Sequence, residues 1–256
     1  MEKKELSLSK EKLKFLTSLQ EKKYRAIHGL FPVEGILPAE ELLQSEFKLK
    51  EFYYIPWLKN RPGFDELLEK VKQRGVEAIE VDGQTLKKLS SEQAPQGVLA
   101  IAEKRDFSEN QLQGNLLLCH QIQDPGNLGT LFRIAHWFGL GGIILTSGSV
   151  EAWNPKVVRS SMGSFFHIPW ILIDSASEIP QAFGEHQLLL SSPHAGRSVS
   201  DFPLKKPFIL ALGNESRGLA EDFFSEAERI TLPRLGGAES LNVAAAAAAI
   251  LARLLL

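Results

Sequence analysis

The chain has 256 residues, 44% of them hydrophobic and 23% charged, and a formal net charge of −2. That length fits one large domain or two modest ones around an ordinary globular core, and the near-neutral balance argues against a chain built for non-specific nucleic-acid binding, although local basic patches count for more than the sum. A single cysteine, Cys119, excludes an internal disulfide and sits in the apolar run LLLC, where a buried free thiol is expected; 6 histidines without metal-ligand spacing argue against zinc.

The start of the chain is charged and shows no apolar leader stretch, so a soluble cytoplasmic protein is expected. Leu13, Leu16 and Leu19 at helical spacing predict a short helix within residues 1–20. Lys10, Lys12, Lys14, Lys22, Lys23 and Arg25 crowd the same region, and Lys70, Lys72 and Arg74 form a second group. Each group reads equally as a solvated helix face or as a basic patch. Val33 to Leu43 reads as a Gly-Pro-interrupted entry into a helix, and Glu51 to Pro56, rich in Phe and Tyr, as a strand. Gly63 to Arg74 carries Phe64, Leu67, Leu68 and Val71 on one helical face. A strand over Val76 to Val81, a short helix over Gln84 to Leu89 and a strand over Val98 to Ala102 follow. The alternation predicts a small α/β domain over residues 1–103, and the polar, unpatterned residues 104–113 read as a linker.

From residue 114 to 256 the alternation is stronger. Strands are expected at Leu116 to His120, Gly142 to Thr146, within His167 to Ile173, and at Gln187 to Ser191, Phe208 to Leu212 and Ile230 to Leu232. Helices are expected at Asn127 to Phe138, at Pro155 to Met162, and through the alanine run after Ser240, which stands where an N-cap should. Near-continuous apolar strands between helices predict a parallel sheet covered on both faces. The last helix is apolar, but Arg253 interrupts it and it is too short to span a bilayer.

The polar loops after Leu212 and Leu232 leave two short strands close to that helix, and in an open α/β sheet a ligand sits beyond the carboxyl ends of the strands. GNESRGL at Gly213 is no phosphate loop, since Gly218 is followed by Leu219, and no G-x-G-x-x-G follows a strand, so a nicotinamide or flavin cofactor is poorly supported. Asp124-Pro125-Gly126-Asn127 is a turn feeding a helix, with Asn127 an N-cap in the plainest reading. Arg133 follows beside Leu131, Phe132 and Ile134, surroundings in which a guanidinium needs a partner. Asn154 to Pro169 reads either as a helix with a C-cap at Gly163 or as a surface on which Lys156, Arg159 and Ser160 face RNA.

QDPGNLGTLFRIAHWFG from Gln123, GNESRGL from Gly213 and LPRLGGAESLNVA from Leu232 resemble, in order, the three motifs of the SpoU/TrmH family of RNA 2′-O-methyltransferases, of the knotted SPOUT class. VEG ending at Gly35 and APQGVLAIA from Ala94 resemble the substrate-binding domain that precedes many SpoU catalytic domains, itself similar to a ribosomal-protein RNA-binding fold. The resemblance implies an α/β knot domain over 114–256, with a deep trefoil knot formed by the C-terminal segment, behind a small α/β RNA-binding domain. It implies S-adenosyl-L-methionine as methyl donor, RNA as substrate and a homodimer with its site near the subunit boundary, without metal or membrane. The attached N-terminal domain points to rRNA; tRNA is the alternative. Arg133 matches the family's essential arginine, with Asn127, Glu215, Ser240 and Asn242 as the other catalytic candidates. Leu212, Gly213, Leu232 and Leu241 are expected to hold the donor, with Ser192 and Thr146 as further candidates. Arg133 would grip the adjacent phosphate or stabilise the developing alkoxide, since guanidinium hardly deprotonates; a base-activating part is the family's version. A non-catalytic RNA-binding or ribosome assembly factor on the same fold is the alternative from another class, and the intact polar motif residues argue against it.

Overall fold

A computed structural model describes residues 8–192, 196–204, 207–213 and 227–256. The chain forms two compact units. One comprises the residues up to Arg105 together with Glu151–Phe166; the other comprises Asp106–Val150 and His167–Leu256.

The first unit opens on helix α1, Lys10–Ser18, whose N-cap Ser9 accepts from the Lys12 amide, and on α2, Lys22–His28, which ends on Gly29 at φ 63°. Strand β1, Leu30–Glu34, then leads into helix α3, Ile36–Gln44. Sequence pattern gave the helix but not the strand before it, because Pro32 stands mid-strand. Proline is tolerated there since β1 lies at the sheet edge. Strand β2, Leu49–Tyr54, helix α4, Phe64–Gln73, strand β3, Ala78–Glu80, helix α5, Gly83–Leu89, and strand β4, Val98–Glu103, complete the unit's own stretch. The sheet order is β1-β4-β2-β3, with β4 antiparallel to both neighbours and β2 parallel to β3.

The second unit begins with strand β5, Leu116–Cys119, helix α6, Pro125–Trp137, and strand β6, Gly142–Thr146. Helix α7, Pro155–Ser160, belongs to the first unit. The second unit resumes with strand β7, Trp170–Ile173, helix α8, Ile179–Ala182, and strands β8, Gln187–Ser191, β9, Arg197–Ser198, β10, Phe208–Leu212, and β11, Glu228–Thr231. Helix α9, Val243–Leu255, closes the chain. The seven strands run in the order β7-β6-β5-β10-β8-β11-β9, and every adjacent pair is parallel. β5, β6 and β10 are buried along their whole length, which is why they read as unbroken apolar runs. β10, late in the chain, enters between β5 and β8 in the interior of the sheet. Burial pushes the Cys119 thiol far up, in keeping with an inert core residue. Among the described residues no helix is long and apolar enough to cross a membrane.

Residues 151–166, read from sequence as part of the 114–256 domain, complete the core of the first unit. Trp153, Phe165 and Phe166 pack with Phe31 and Phe47, the Phe31–Trp153 rings being 4.8 Å apart and the Phe47–Phe166 rings 5.3 Å. Gly163, at φ 90°, lets the segment lie against α3, where a Cβ would come within 2.2 Å of Glu41 Cγ. Polar anchors do the rest. Arg25, 2% exposed, ion-pairs with Glu151 and donates to the carbonyls of Leu19 and Gln20 at 2.9 and 2.7 Å. The buried Glu34 carboxylate accepts from Ser90 Oγ at 2.7 Å, the Ser91 amide at 2.9 Å and Gln20 Nε2 at 3.2 Å, and Arg159 reaches it at 3.4 Å. Arg25 and Arg159, candidates for basic surface, are therefore structural cations.

Candidate active site

Four parallel strands end together. The carboxyl ends of β5, β6, β8 and β10 carry His120, Thr146, Ser192 and the Leu212-Gly213 pair. Leu212 pairs with Cys119, and Cys119 in turn with Leu145, so these ends lie at one level of the sheet. Chain direction across the sheet reverses between β5 and β10, and such a switch point opens a crevice at the strand ends. The His120 amide donates to the Leu212 carbonyl at 2.9 Å and ties the two strand ends beyond their ladder. Thr146, 1% exposed, accepts from the Gln121 amide at 3.1 Å, and its hydroxyl lies 3.1 Å from His120 Nδ1. Gln121 itself is held at φ 53°, a left-handed conformation that a non-glycine residue keeps only when its surroundings fix it. On the far side, the Ser192 amide donates to the Ile230 carbonyl at 3.0 Å.

Helices α6 and α9 complete the crevice and pack on each other. Asp124, not Asn127, is the N-cap of α6 and accepts from the Asn127 amide at 2.7 Å. Asn242, not Ser240, is the N-cap of α9; its Oδ1 accepts from the amides of Ala244 and Ala245. Relieved of capping, the Asn127 side chain accepts from Asn242 Nδ2 at 2.9 Å. This bond joins residues 115 positions apart and links the first motif to the third. The alanine run makes the approach possible, with Val243, Ala244, Ala247, Ile250 and Leu251 buried on one face of α9.

Arg133 is exposed on α6, so its expected burial among apolar neighbours is corrected: the apolar residues beside it in sequence turn inward and the guanidinium turns out. Among the described residues it makes no ion pair or side-chain hydrogen bond, and it is open to an anionic ligand. Ser240 is exposed on the loop between β11 and α9, and Glu215 lies outside the described residues. Leu232 is half-buried, while Leu235 and Leu241 are 100% and 58% exposed on the same loop. Apolar side chains presented to solvent beside strand-end backbone suit an adenosine-bearing donor, which needs apolar contact for its base and backbone groups for its polar edge. The sequence pattern missed His120, because it ends the apolar run of β5 and reads as part of a strand. Burial holds its imidazole below the ordinary histidine range, so the ring is neutral near pH 7. Among the described residues no group of three or more His, Cys, Asp or Glu could hold a metal ion.

Residues 114–252 match the model of the SpoU rRNA Methylase family, and residues 10–100 that of the MRM3-like substrate binding domain. The 23S rRNA (guanosine(2553)-2′-O)-methyltransferase of Bacillus subtilis is 30% identical over 246 residues, covering 94% of this chain and 95% of that protein. The SpoU methyltransferase AviRb from Streptomyces viridochromogenes, solved in complex with AdoMet, superimposes with a TM-score of 0.84 at 27% identity, covering 95% of this chain and 96% of that one. An AdoMet-bound rRNA methyltransferase from Sinorhizobium meliloti gives a TM-score of 0.83 at 28% identity, covering 96% and 94%.

Proposed function

The chain belongs to the SpoU rRNA methylase family, and from that premise we propose how its own residues carry out the reaction. The protein is an S-adenosylmethionine-dependent RNA 2′-O-methyltransferase acting on rRNA. When bound, S-adenosylmethionine supplies a sulfonium methyl carbon to a ribose 2′-oxygen. Leu212, Gly213, Leu232 and Leu241 hold it in this proposal, with Thr146 and Ser192 bordering the strand ends. Gly213 presents backbone without a side chain where the donor approaches. Asn127 and Asn242, bonded to each other, fix the starts of α6 and α9 and orient the acceptor ribose. Arg133 offers a planar fork to the phosphate beside that ribose or to the charge developing on its oxygen. Ser240, exposed on the loop before α9, adds a polar group in this proposal, and Glu215, outside the described residues, is a further catalytic candidate by its motif. Residues 10–100 supply RNA contacts, and a cytoplasmic location belongs to the same reading.

The single observation that carries this proposal is the Asn242–Asn127 bond, which brings two polar motifs into one place at the strand ends. The homodimer has separate support. Trp137, four residues beyond Arg133 on α6, is 84% exposed, and Ala245 and Ala249 leave a low surface on α9. A second copy would cover an aromatic side chain of that size. The test is Arg133→Ala. Donor affinity by calorimetry should stay within a few-fold of wild type, while kcat falls about 10²- to 10³-fold, because the interaction matters chiefly in the transition state. Arg133→Lys should not restore it, since a point charge cannot reproduce the fork. Full activity in Arg133→Ala would remove the assignment. Mixed dimers of Arg133→Ala with Gly213→Val should regain activity if one site draws on both subunits; a monomer by sedimentation would end the dimer proposal.

A further inference from the structure

The turn after β2 has no part in the methyl-transfer site, yet it is built as a platform. Pro56–Asn60 forms a 3-10 turn with proline at its start. Leu58, fully buried, pins it from beneath, and the Leu58 and Arg61 amides close it through bonds to the Ile55 and Leu58 carbonyls at 3.1 and 2.9 Å. The Ile55 amide donates at 3.0 Å to the carbonyl of Gly97, in the APQG segment that resembles a substrate-binding motif. Gly97 sits at φ 93°, and a Cβ there would fall 2.8 Å from Ile55 Cδ1 and 2.9 Å from Leu58 Cδ1. The glycine thus permits a close clamp on the turn from below. What the clamped turn presents is Trp57, 58% exposed, between exposed Pro56 and Lys59. Arg61, also exposed, makes no ion pair or side-chain hydrogen bond among the described residues. Lys59 is fixed by its ion pair with Glu80 and lies 5.7 Å from the Tyr54 ring centroid. The nearby acids Asp65 and Glu66 occupy the first turn of α4, where they complement that helix's own N-terminus.

We propose that Trp57 and Arg61 form a contact for single-stranded RNA, a base stacking on the indole face and a phosphate meeting the guanidinium. Trp57 and Arg61 stand four residues apart across one short turn, and a ligand matching both must carry a flat aromatic face and a negative charge, as an unpaired nucleotide does. A duplex buries its base faces and would meet only the cation. The rigid mount is what makes the site effective, since a ring already held in place loses little freedom on stacking. The inference rests on the reading that residues 10–100 contact the substrate, and it names where on that unit the contact is made.

The test uses the full chain and a short single-stranded RNA oligonucleotide, with its duplex form as comparator. Wild type should bind the single strand with quenching of tryptophan fluorescence, and the duplex more weakly. Trp57→Ala should weaken single-strand binding about five- to a hundredfold, the range of one base–aromatic stack. Trp57→Phe should retain most of the affinity but lose the quench, and Arg61→Glu should weaken binding and flatten its salt dependence. Trp57 and Arg61 are exposed, so unfolding midpoints should be unchanged, and donor affinity by calorimetry should match wild type. Equal single-strand affinity in wild type and Trp57→Ala would overturn the proposal, as would equal binding of the duplex. Failure of wild type to methylate rRNA, with the Trp57-dependent binding intact, would instead count against the proposed division of labour and leave this site standing.

Discussion

The two units solve the problem of buried polarity in opposite ways. In the first, charged and polar groups run through the interior: Glu34 beneath four donors, and Arg25 against Glu151 and two carbonyls. In the second, the central strands are apolar from end to end, and polarity gathers at their carboxyl edge in Thr146, His120 and the Asn127–Asn242 pair. A buried ion pair adds little net stability against a well-packed apolar replacement, but it is costly to break halfway. The first unit is therefore held by particular partners, including partners that arrive on residues 151–166. The second is held by apolar area, and its polar groups gather at the strand ends instead of inside the core.

The largest effect expected from this contrast is at Arg25. Arg25→Ala leaves the Glu151 carboxylate, 11% exposed, with Lys104 at 3.2 Å as its one remaining cation among the described residues. The loss should be about 3–5 kcal/mol of stability, read as a lowered denaturant midpoint. Arg25→Ala combined with Glu151→Ala should be less damaging than the sum of the single changes, because the carboxylate that Arg25→Ala would strand is then gone as well, even though Lys104 loses its partner. Additive losses would mean that the pair is not the coupled anchor described. The same architecture gives a second expectation for truncation. A fragment starting at Gly114 would expose Trp153, Phe165 and Phe166, so it should aggregate rather than report cleanly on RNA affinity.

Much of this was legible in the chain. β5, β6, β8 and β10 announced themselves as apolar runs because a parallel sheet covered on both faces has no polar side. The strand ends that carry Thr146, Ser192, Leu212 and Gly213 followed directly. Three kinds of feature did not follow. β1 was hidden by Pro32, and α2 by its position inside a run of cations. The allegiance of residues 151–166 is a matter of tertiary packing: the Asn154-Pro155 start predicts a helix, and nothing local says whose core it joins. Side-chain direction was the third. Arg133 points out and Arg25 in, although the first has apolar neighbours in sequence and the second charged ones. His120, at the end of an apolar strand, gave no polar signal at all.

A smaller effect should separate the two jobs of Asn242. As N-cap of α9 it satisfies helix-end amides, and its Nδ2 reaches Asn127. Asn242→Ala removes both and should cost about 1–2 kcal/mol of stability along with donor affinity. Asn242→Ser keeps a capping oxygen but is too short to bridge, so stability should nearly recover while methyl transfer does not. If the serine variant were fully active, the bridge would be irrelevant to the site and the asparagine a cap alone.

The smallest expected effect is a pH dependence that the second unit owes to its polar edge. Burial lowers the His120 pKa in the folded protein, whereas in the unfolded chain the imidazole titrates near the ordinary value of about 6.5. Below that pH the unfolded state binds the proton first, so it gains protons that the folded state lacks. Stability attributable to His120 is thus fully present above about pH 6.5 and is lost as the pH falls toward the depressed native value. Protonation would also set a donor N–H at Nδ1 against the Thr146 hydroxyl, which already accepts from Gln121 and would then have to accept from both. His120→Gln keeps a polar side chain without the titration. Its unfolding midpoint should therefore change less than that of wild type between pH 7.5 and 5.5, by roughly the contribution of one group. The comparison isolates His120, since every other titrating group is common to the two proteins. An identical pH slope in wild type and variant would mean that the imidazole is not held neutral by the fold, and that the strand ends of β5 and β6 meet solvent more freely than their packing indicates.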